Sequence, residues 1–152
     1  MGHILTKLEM GIDIMFRLNT LVPELSVSDI NKSLNFYLNI LSFKLEYQRP
    51  EDKFAMLSLN DCQIMIEEIN GYWQTAELTY PFGRGINFQI KVSDINEIYK
   101  SLRMYEYPIK IDIQENWYRA DNKLKGQKEF LIMDPDGYLL RFVQTFGERE
   151  NV

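Results

Sequence analysis

The sequence predicts an α+β fold built from two tandem β-α-β-β-β modules. The first observation is a repeat. The pentapeptide Val-Ser-Asp-Ile-Asn occurs at residues 27–31 and again at 92–96, an offset of 65 residues in a chain of 152. The second observation is the shared context, because each copy follows a strand-like run and precedes a helix-like run and a β-rich stretch. A repeated unit of this size indicates two copies of one module that bury their apolar faces together.

The repeat divides the chain into five segments. The residues before the repeat have no clear periodicity. The segment after the repeat is short. The segments are an N-terminal extension at 1–20, the first module at 21–68, a linker at 69–84 rich in glycine, proline and aromatic residues, the second module at 85–146 and a frayed tail at 147–152.

The first module begins with a predicted strand at 21–27, in which Leu25 and Val27 share one face. Ser28 or Asp29 then caps a helix that runs to about residue 41, since a short side-chain oxygen can accept from the free N–H groups of a helix start. Turn residues separate the β-rich stretches that follow. These stretches predict strands at 43–48, 53–59 and 63–67.

The second module repeats this plan. A strand ends at residue 92, a helix spans 94–104, and further strands lie near 109–113, 129–133 and 138–144. Residues 114–128 are predicted as a longer loop than their counterpart in the first module. The run Asp134-Pro135-Asp136-Gly137 is a strong turn signal, because proline presets φ and glycine accepts a positive φ.

The composition excludes several classes of partner. The net charge of −5, with no basic stripe, argues against nucleic acid. Cys62 is the single cysteine, so no intrachain disulfide can form and a reducing compartment is favoured. No apolar run reaches the roughly 18 residues of a membrane span. We therefore expect a cytoplasmic protein that has no membrane partner.

The two modules resemble the vicinal oxygen chelate superfamily, which includes glyoxalase I, extradiol dioxygenases and bleomycin resistance proteins. The resemblance extends over residues 21–144 and rests on Ser-Asp at the start of each helix and Asp-Pro-Asp-Gly-Tyr before the last strand. The runs most similar to the bleomycin-resistance branch are 23–25, 35–37, 81–90, 117–119 and 134–142. The resemblance implies a curved mixed sheet around a cleft, with the helices on the outer face.

Enzymes of that superfamily hold a divalent metal with ligands from the first and fourth strands of each module. Val22, Glu67, Asn87 and Arg141 occupy the four corresponding positions here. Only Glu67 is a plausible ligand, because valine has no donor atom and arginine is permanently positive. His3 is the only histidine and lies in the extension. We therefore expect no metal and no cofactor, and we lean against an enzyme.

Strand alternation predicts a polar face in both modules, which loop aromatics would border. Such a face can also be plain solvated surface, but it recurs in both modules. A polar floor with aromatic walls suits a planar, neutral or partly cationic small molecule. The residues predicted to bind the ligand are Glu24, Ser26, Tyr47, Phe54, Met65, Glu67, Trp73, Asn87, Gln89, Trp117, Tyr118 and Arg141.

The function that the resemblance implies is metal-independent binding of a bleomycin-type drug, which confers resistance by sequestration. Two alternatives stay open. One is a metal-dependent lyase, isomerase or dioxygenase, and the other is a binding module for an unrelated metabolite. We also expect a homodimer that covers apolar loop residues such as Phe82 and Trp117. Within the cleft, Arg141 is predicted to pair with Glu67.

Overall fold

The computed structural model describes residues 5–7 and 13–151, with side chains from residue 16 onward. His3 lies outside the described residues. Two short strands precede the first module and pair antiparallel, although the sequence predicted no strand in this extension. They are β1 (Leu5–Lys7) and β2 (Asp13–Met15).

Each module then forms its own four-stranded sheet. The first contains β3 (Glu24–Val27), β4 (Lys44–Arg49), β5 (Phe54–Leu59) and β6 (Cys62–Glu68). The second contains β7 (Asn87–Lys91), β8 (Ile111–Ala120), β9 (Lys123–Met133) and β10 (Leu139–Glu150). In both sheets the spatial order is first, fourth, third and second strand. The first and fourth strands pair parallel and the other neighbours pair antiparallel. The predicted α+β fold of two β-α-β-β-β modules is confirmed.

One helical segment follows the first strand of each module. Asp29, rather than Ser28, caps α1 (Ile30–Leu34), and its Oδ1 accepts from the backbone N of Asn31 at 3.0 Å. A π-helical stretch (Asn35–Ile40) continues α1. Asp94 caps α2 (Ile95–Met104) in the same way. None of the helices in the described part of the chain has both the length and the apolar character needed to cross a membrane.

The helices and the apolar faces of both sheets share one core. Alternation places Leu25 and Val27 of β3 in this core, as the sequence predicted. The helices contact each other directly, because Ser101 Oγ of α2 donates to the backbone O of Ile40 at 2.6 Å. The largest fully buried side chains of the core include Tyr37, Phe36, Phe130, Phe142, Leu41, Ile66, Ile95, Leu102, Ile132 and Leu140.

The loop between residues 133 and 139 joins the second module to the first. It turns as predicted, with Gly137 at φ +94° and its N–H bonded to the backbone O of Asp134 at 3.0 Å. A Cβ at Gly137 would lie 2.5 Å from Pro81 Cβ, so glycine is required by contact as well as by φ. Ser28 donates both its N–H and its hydroxyl to Asp136, at 3.0 and 2.5 Å.

The predicted loop at 114–128 is wrong, because these residues form the long antiparallel hairpin of β8 and β9. Asp121, at φ +54°, lies at its turn. Charged residues occupy both faces of this hairpin, so its strands lack the apolar alternation that would reveal them. Gly126 allows the strands to pack, since a Cβ there would lie 2.8 Å from the ring of Phe146 and 3.0 Å from that of Trp117.

The boundaries differ from prediction at both ends of the repeat. Strand β10 continues to Glu150 and pairs with the start of β9, so residues 147–150 are ordered strand rather than a frayed tail. Strand β3 starts at Glu24 instead of Leu21, whose side chain is 83% exposed. The apolar character of Leu21 predicted a strand residue, but this leucine is largely exposed.

Candidate functional site

The first module places four of the predicted ligand-binding residues on one face of its sheet. Glu24 lies opposite Met65, and Ser26 lies opposite Glu67, in the parallel pair of β3 and β6. The intervening residues are buried in the core, so these four side chains project from the other face. The structure thus brings Glu24, Ser26, Met65 and Glu67 together as the alternation predicted.

Glu24 and Glu67 place two neighbouring carboxyl groups on this face. Partial burial raises the pKa of Glu24 to about 7, together with the hydrogen bond and the negative charge of Glu67, while Arg49 lowers it. The negative charge of Glu67 thus favours the protonated form of Glu24.

The linker that follows β6 brings Trp73 to the same carboxyl pair. Trp73 Nε1 donates to Glu67 Oε2 at 3.2 Å, and Asn70 Nδ2 donates to Glu67 Oε1 at 3.1 Å. The Trp73 ring is 56% exposed and meets Tyr72 edge to face with centroids 4.5 Å apart. The predicted aromatic border at Trp73 is therefore in place beside a carboxyl group.

Gln74 of the linker holds the neighbouring serine. Its Nε2 donates to Ser26 Oγ at 2.6 Å, and its Oε1 accepts from the backbone N of Gly71 at 2.6 Å. The serine hydroxyl is therefore already engaged within the chain. Gln74 was not predicted, because a glutamine in a linker has no periodicity that would assign it to a sheet face.

Tyr47 and Phe54 lie next to each other, with ring centroids 5.9 Å apart, and form an aromatic row on β4 and β5. Phe54 is buried, and the Arg49 guanidinium covers its ring at 3.9 Å from the centroid. Phe16 packs edge to face on Tyr47 at 6.0 Å. Phe54 is thus covered by Arg49, whereas Tyr47 is partly buried between Phe16 and Phe54.

The end of the N-terminal extension is tied to this module. Gln63 Nε2 donates to the backbone O of Arg17 at 2.7 Å, and its Oε1 accepts from the backbone N of Asn19 at 2.8 Å. The contact was missed because residues 1–20 show no periodicity from which a packing face can be read.

The second module carries Asn87, Gln89 and Arg141 on neighbouring strands. Strand β7 pairs parallel with β10, so that Gln89 lies opposite Arg141 and Asn87 opposite Leu139. A pocket of about 260 Å³ opens on this face. Its lining residues are Gln89, Tyr118, Ala120, Lys125, Gln127 and Arg141. The structure therefore brings the predicted Gln89, Tyr118 and Arg141 to one pocket, while Asn87 lies outside its lining.

Glu129 is the residue of this face that the sequence did not reveal. It is 3% exposed, and its carboxylate accepts from Asn116 Nδ2 at 2.8 Å and from the Tyr118 hydroxyl. Arg141 Nη1 lies 3.8 Å from Glu129 Oε2. The hydrogen bond to Glu129 is the first cause that raises the pKa of Tyr118. A single acidic residue in a lysine-rich strand reads as solvated surface, so no local pattern marks it as buried.

Trp117 does not line this pocket, because its side chain and that of Tyr118 project from opposite faces of β8. Its ring packs edge to face on Phe146, with centroids 5.2 Å apart, and Arg149 lies over it at 4.1 Å. Trp117 instead belongs to an aromatic and cationic cluster on the other side of the extended hairpin.

The predicted ion pair of Arg141 with Glu67 is wrong within the single chain. Among the side chains that the structure describes, the carboxylate within 4 Å of Arg141 is that of Glu129. Arg141 faces Leu131 of β9, and Glu129 lies two residues further along on the same face of that neighbouring strand. Glu67 instead accepts hydrogen bonds from Asn70 and Trp73 of the linker and lies beside Glu24 of its own module.

The residues at the metal-ligand positions of the resembling enzymes do not fit a divalent ion. Arg141 places a permanent positive charge at one position, and Val22 offers no donor atom at another. Across the part of the chain that the structure describes, no three histidine, cysteine, aspartate or glutamate side chains gather closely enough to hold a metal. The Glu24–Glu67 pair offers two carboxyl groups but no third ligand of that kind.

A larger cavity lies away from both polar faces. It measures about 730 Å³, follows the end of α2 and is lined by Arg103, Glu106, Tyr107, Pro108, Ile109, Lys110 and Asp112. None of the predicted ligand-binding residues lies there. It also contains no buried polar side chain without a partner, in contrast to the smaller pocket beside Arg141.

Comparison with known proteins gives consistent matches. The family model described as the Glyoxalase/Bleomycin resistance protein/Dioxygenase superfamily matches residues 17–142. The chain is 28% identical over 137 residues to the bleomycin resistance protein of Geobacillus stearothermophilus, covering 81% of this chain and 94% of that protein. It is 29% identical over 127 residues to glyoxalase domain-containing protein 4 of Rattus norvegicus, which covers 83% of this chain and 41% of that protein.

Solved structures share the fold at lower identity. TioX from Micromonospora sp. ML1 superposes with a TM-score of 0.64 at 18% identity, covering 84% of this chain and 99% of that one. A protein from Alicyclobacillus acidocaldarius, described as glyoxalase/bleomycin resistance protein/dioxygenase, gives a TM-score of 0.60 at 21% identity. That match covers 85% of this chain and 92% of the other.

Proposed function

Because the chain belongs to the Glyoxalase/Bleomycin resistance protein/Dioxygenase superfamily, we propose that it binds a bleomycin-type drug and confers resistance by holding the drug without turnover. The observation that carries this proposal is the surroundings of Arg141. Its guanidinium stands at a metal-ligand position of the resembling enzymes and lies 3.8 Å from a buried carboxylate. A fixed positive charge there takes the place of a cation and leaves the face free for binding.

The two polar faces support a ligand with more than one kind of group. In the first module, the Glu24–Glu67 pair lies beside the exposed Trp73 ring, which suits an aromatic or cationic group. In the second module, the pocket beside Arg141 holds polar side chains of both charges. Such a ligand is larger than either site alone, as expected for a drug with several chemical groups.

We also propose that the protein is a cytoplasmic homodimer, in which two chains complete each cleft. The exposed Tyr72 and Trp73 rings support an additional surface contact, since they form an aromatic pair that the described part of the chain leaves largely uncovered. Phe82 does not contribute to this argument. It is 8% exposed and packs on Tyr138 within the same chain.

A titration with bleomycin, followed by tryptophan fluorescence and calorimetry, tests the proposal. Saturable binding with recovery of unchanged drug is the expected result. The variants Trp73→Phe and Trp117→Phe form a matched pair, because Trp73 borders the carboxyl pair whereas Trp117 lies on the opposite face of β8. We expect the fluorescence response to be lost in Trp73→Phe and kept in Trp117→Phe. Chemical conversion of the drug, or absence of saturable binding, would contradict the proposal.

A further inference from the structure

Three buried polar atoms lie without hydrogen-bond partners on the pocket face of the second module. They are Gln127 Oε1, Glu129 Oε2 and Arg141 Nε. Gln127 and Arg141 line the pocket of about 260 Å³, and Glu129 contacts Tyr118 of the same lining. Buried polar atoms in folded proteins almost always have partners, and each exception requires an explanation. Three such exceptions beside one pocket indicate a missing polar group.

The three atoms without hydrogen-bond partners specify which donors and acceptors that group must offer. Gln127 Oε1 and Glu129 Oε2 are acceptors, whereas Arg141 Nε is a donor. A primary carboxamide carries two N–H donors and one carbonyl acceptor in a single plane. We propose that this pocket binds a primary carboxamide group of the ligand, with its N–H groups on Gln127 and Glu129 and its carbonyl on Arg141. The inference rests on the proposed function and adds the chemistry of the group bound at this face.

The charges of the pocket favour a neutral group over an ionised one. A carboxylate on the ligand would meet the buried Glu129, which is 3% exposed. An ammonium or amidinium would meet the Arg141 guanidinium. Lys125 does not change this balance, because its Nζ is paired with Glu148 at 3.0 Å. A neutral donor and acceptor group therefore satisfies the pocket without an unpaired charge.

The size of the pocket limits it to one part of a ligand. Sites for whole drug-sized molecules measure about 300–1,000 Å³, and this pocket holds about 260 Å³. Tyr118 lines the pocket, donates its hydroxyl to Glu129 and is 42% exposed. A ligand group reaches the Glu129 carboxylate only when the Tyr118 hydroxyl gives up its hydrogen bond to that carboxylate.

The proposal is tested with benzamide as the probe and with three compounds that keep its ring. N,N-dimethylbenzamide lacks the N–H donors, benzoate carries a negative charge and benzamidinium carries a positive charge. Binding is measured by chemical-shift titration of the isotope-labelled full chain. We expect benzamide to bind about tenfold or more tightly than each comparison compound, with shifts at residues 127, 129 and 141. Equal binding of benzamide and N,N-dimethylbenzamide would overturn the proposal. It would mean that the N–H groups of benzamide do not bind the acceptors of Gln127 and Glu129.

Two variants locate the effect. Glu129→Gln replaces an acceptor with a donor at constant shape, and Gln127→Met removes an acceptor at similar volume. Both are expected to abolish the preference for benzamide over N,N-dimethylbenzamide. The matched control is Glu115→Gln, because Glu115 is an exposed glutamate on the other face of the same sheet. A thermal unfolding curve confirms that each variant is folded. Unchanged preference in folded Gln127→Met would refute the assignment.

The outcome is separable from that of the proposed function. Bleomycin binding without any benzamide preference would reject the carboxamide site and leave the proposed function standing. A benzamide preference at this pocket without bleomycin binding would support the site and count against the bleomycin-type ligand.

Discussion

The Tyr37 hydroxyl donates a 2.7 Å hydrogen bond to Asp134 Oδ2, and both residues are buried. Tyr37 belongs to the helical segment of the first module, whereas Asp134 begins the turn before the last strand of the second. Asp134 Oδ1 also accepts from the backbone N of Asp136 and of Tyr138, at 2.9 and 3.0 Å. One carboxylate thus fixes the turn and links the modules.

Loss of the Tyr37 hydroxyl is expected to destabilise the protein. In Tyr37→Phe the ring is kept, but a buried carboxylate oxygen loses its donor, which costs about 1–3 kcal/mol in the free energy of unfolding. Urea denaturation measures the change. Tyr72→Phe is the control, because Tyr72 is 76% exposed, and its unfolding free energy should stay within about 0.5 kcal/mol of the parent. Equal effects of the two substitutions would contradict the link.

Asp134 is expected to make stability depend on pH. Burial raises the pKa of Asp134 to about 6, although its hydrogen bonds to Tyr37, Tyr138 and Asp136 lower it. A carboxyl whose pKa is higher in the folded state stabilises the fold when protonated. This contribution is therefore largest below the unfolded pKa near 4 and is lost as the pH rises through about 6.

The variant Asp134→Asn isolates this contribution, because asparagine does not titrate. Between pH 7 and pH 4, the unfolding free energy of the parent should rise relative to that of Asp134→Asn by up to about 3 kcal/mol. Denaturation at several pH values gives the difference. A constant difference across this range would show that Asp134 does not titrate within it.

The sequence predicted the modules well because their signals are local. Asp29 and Asp94 begin the two helices, and Leu25 with Val27 marks a buried strand face by alternation alone. The turn at Gly137 was predicted for the same reason, since its positive φ depends on the residue type. Each of these features needs only a few neighbouring residues to be recognised.

The partners across the sheet could not be predicted, since they depend on register. Arg141 reaches Glu129 through the antiparallel register of β9 and β10, in which Arg141 lies opposite Leu131 and Val143 opposite Glu129, and β9 also extends back to Lys123. Alternating polar residues hid that extension. Likewise, Tyr118 and Trp117 were both assigned to the cleft, although adjacent residues of a strand project to opposite faces.

The carboxyl pair of the first module gives a second pH dependence. Glu24 is expected to titrate near pH 7, and Glu67→Gln should lower the pKa of Glu24 by removing the adjacent negative charge. Carbon-detected NMR titration of the glutamate carboxyl groups measures this. The control Glu77→Gln changes an exposed linker glutamate and should leave the Glu24 titration in place. A Glu24 pKa that is the same in the parent and in Glu67→Gln would rule out the influence of Glu67 on Glu24.

Metal addition is expected to produce no glyoxalase-type turnover. The protein should purify without a stoichiometric divalent ion, because Arg141 and Val22 cannot supply ligands at two of the four positions. Elemental analysis of the purified chain, with an assay after addition of Zn²⁺, Ni²⁺ or Mn²⁺, checks both statements. About one tightly held ion per chain, removable with loss of an activity, would favour the enzyme alternative.

The Arg141–Glu129 pair is expected to be coupled in stability. Arg141→Met leaves the Glu129 carboxylate buried beside Tyr118 and Asn116 without a positive charge, at a cost on the order of 3 kcal/mol. Glu129→Gln in the same chain removes that charge, so the double variant should recover much of the loss. Urea denaturation of the single and double variants gives the coupling energy. The matched cycle replaces Glu129→Gln with Glu67→Gln, and there the effects should add, because Glu67 belongs to the other carboxyl pair. Additive effects in the Glu129 cycle, or coupling of the same size in the Glu67 cycle, would reject Glu129 as the partner of Arg141.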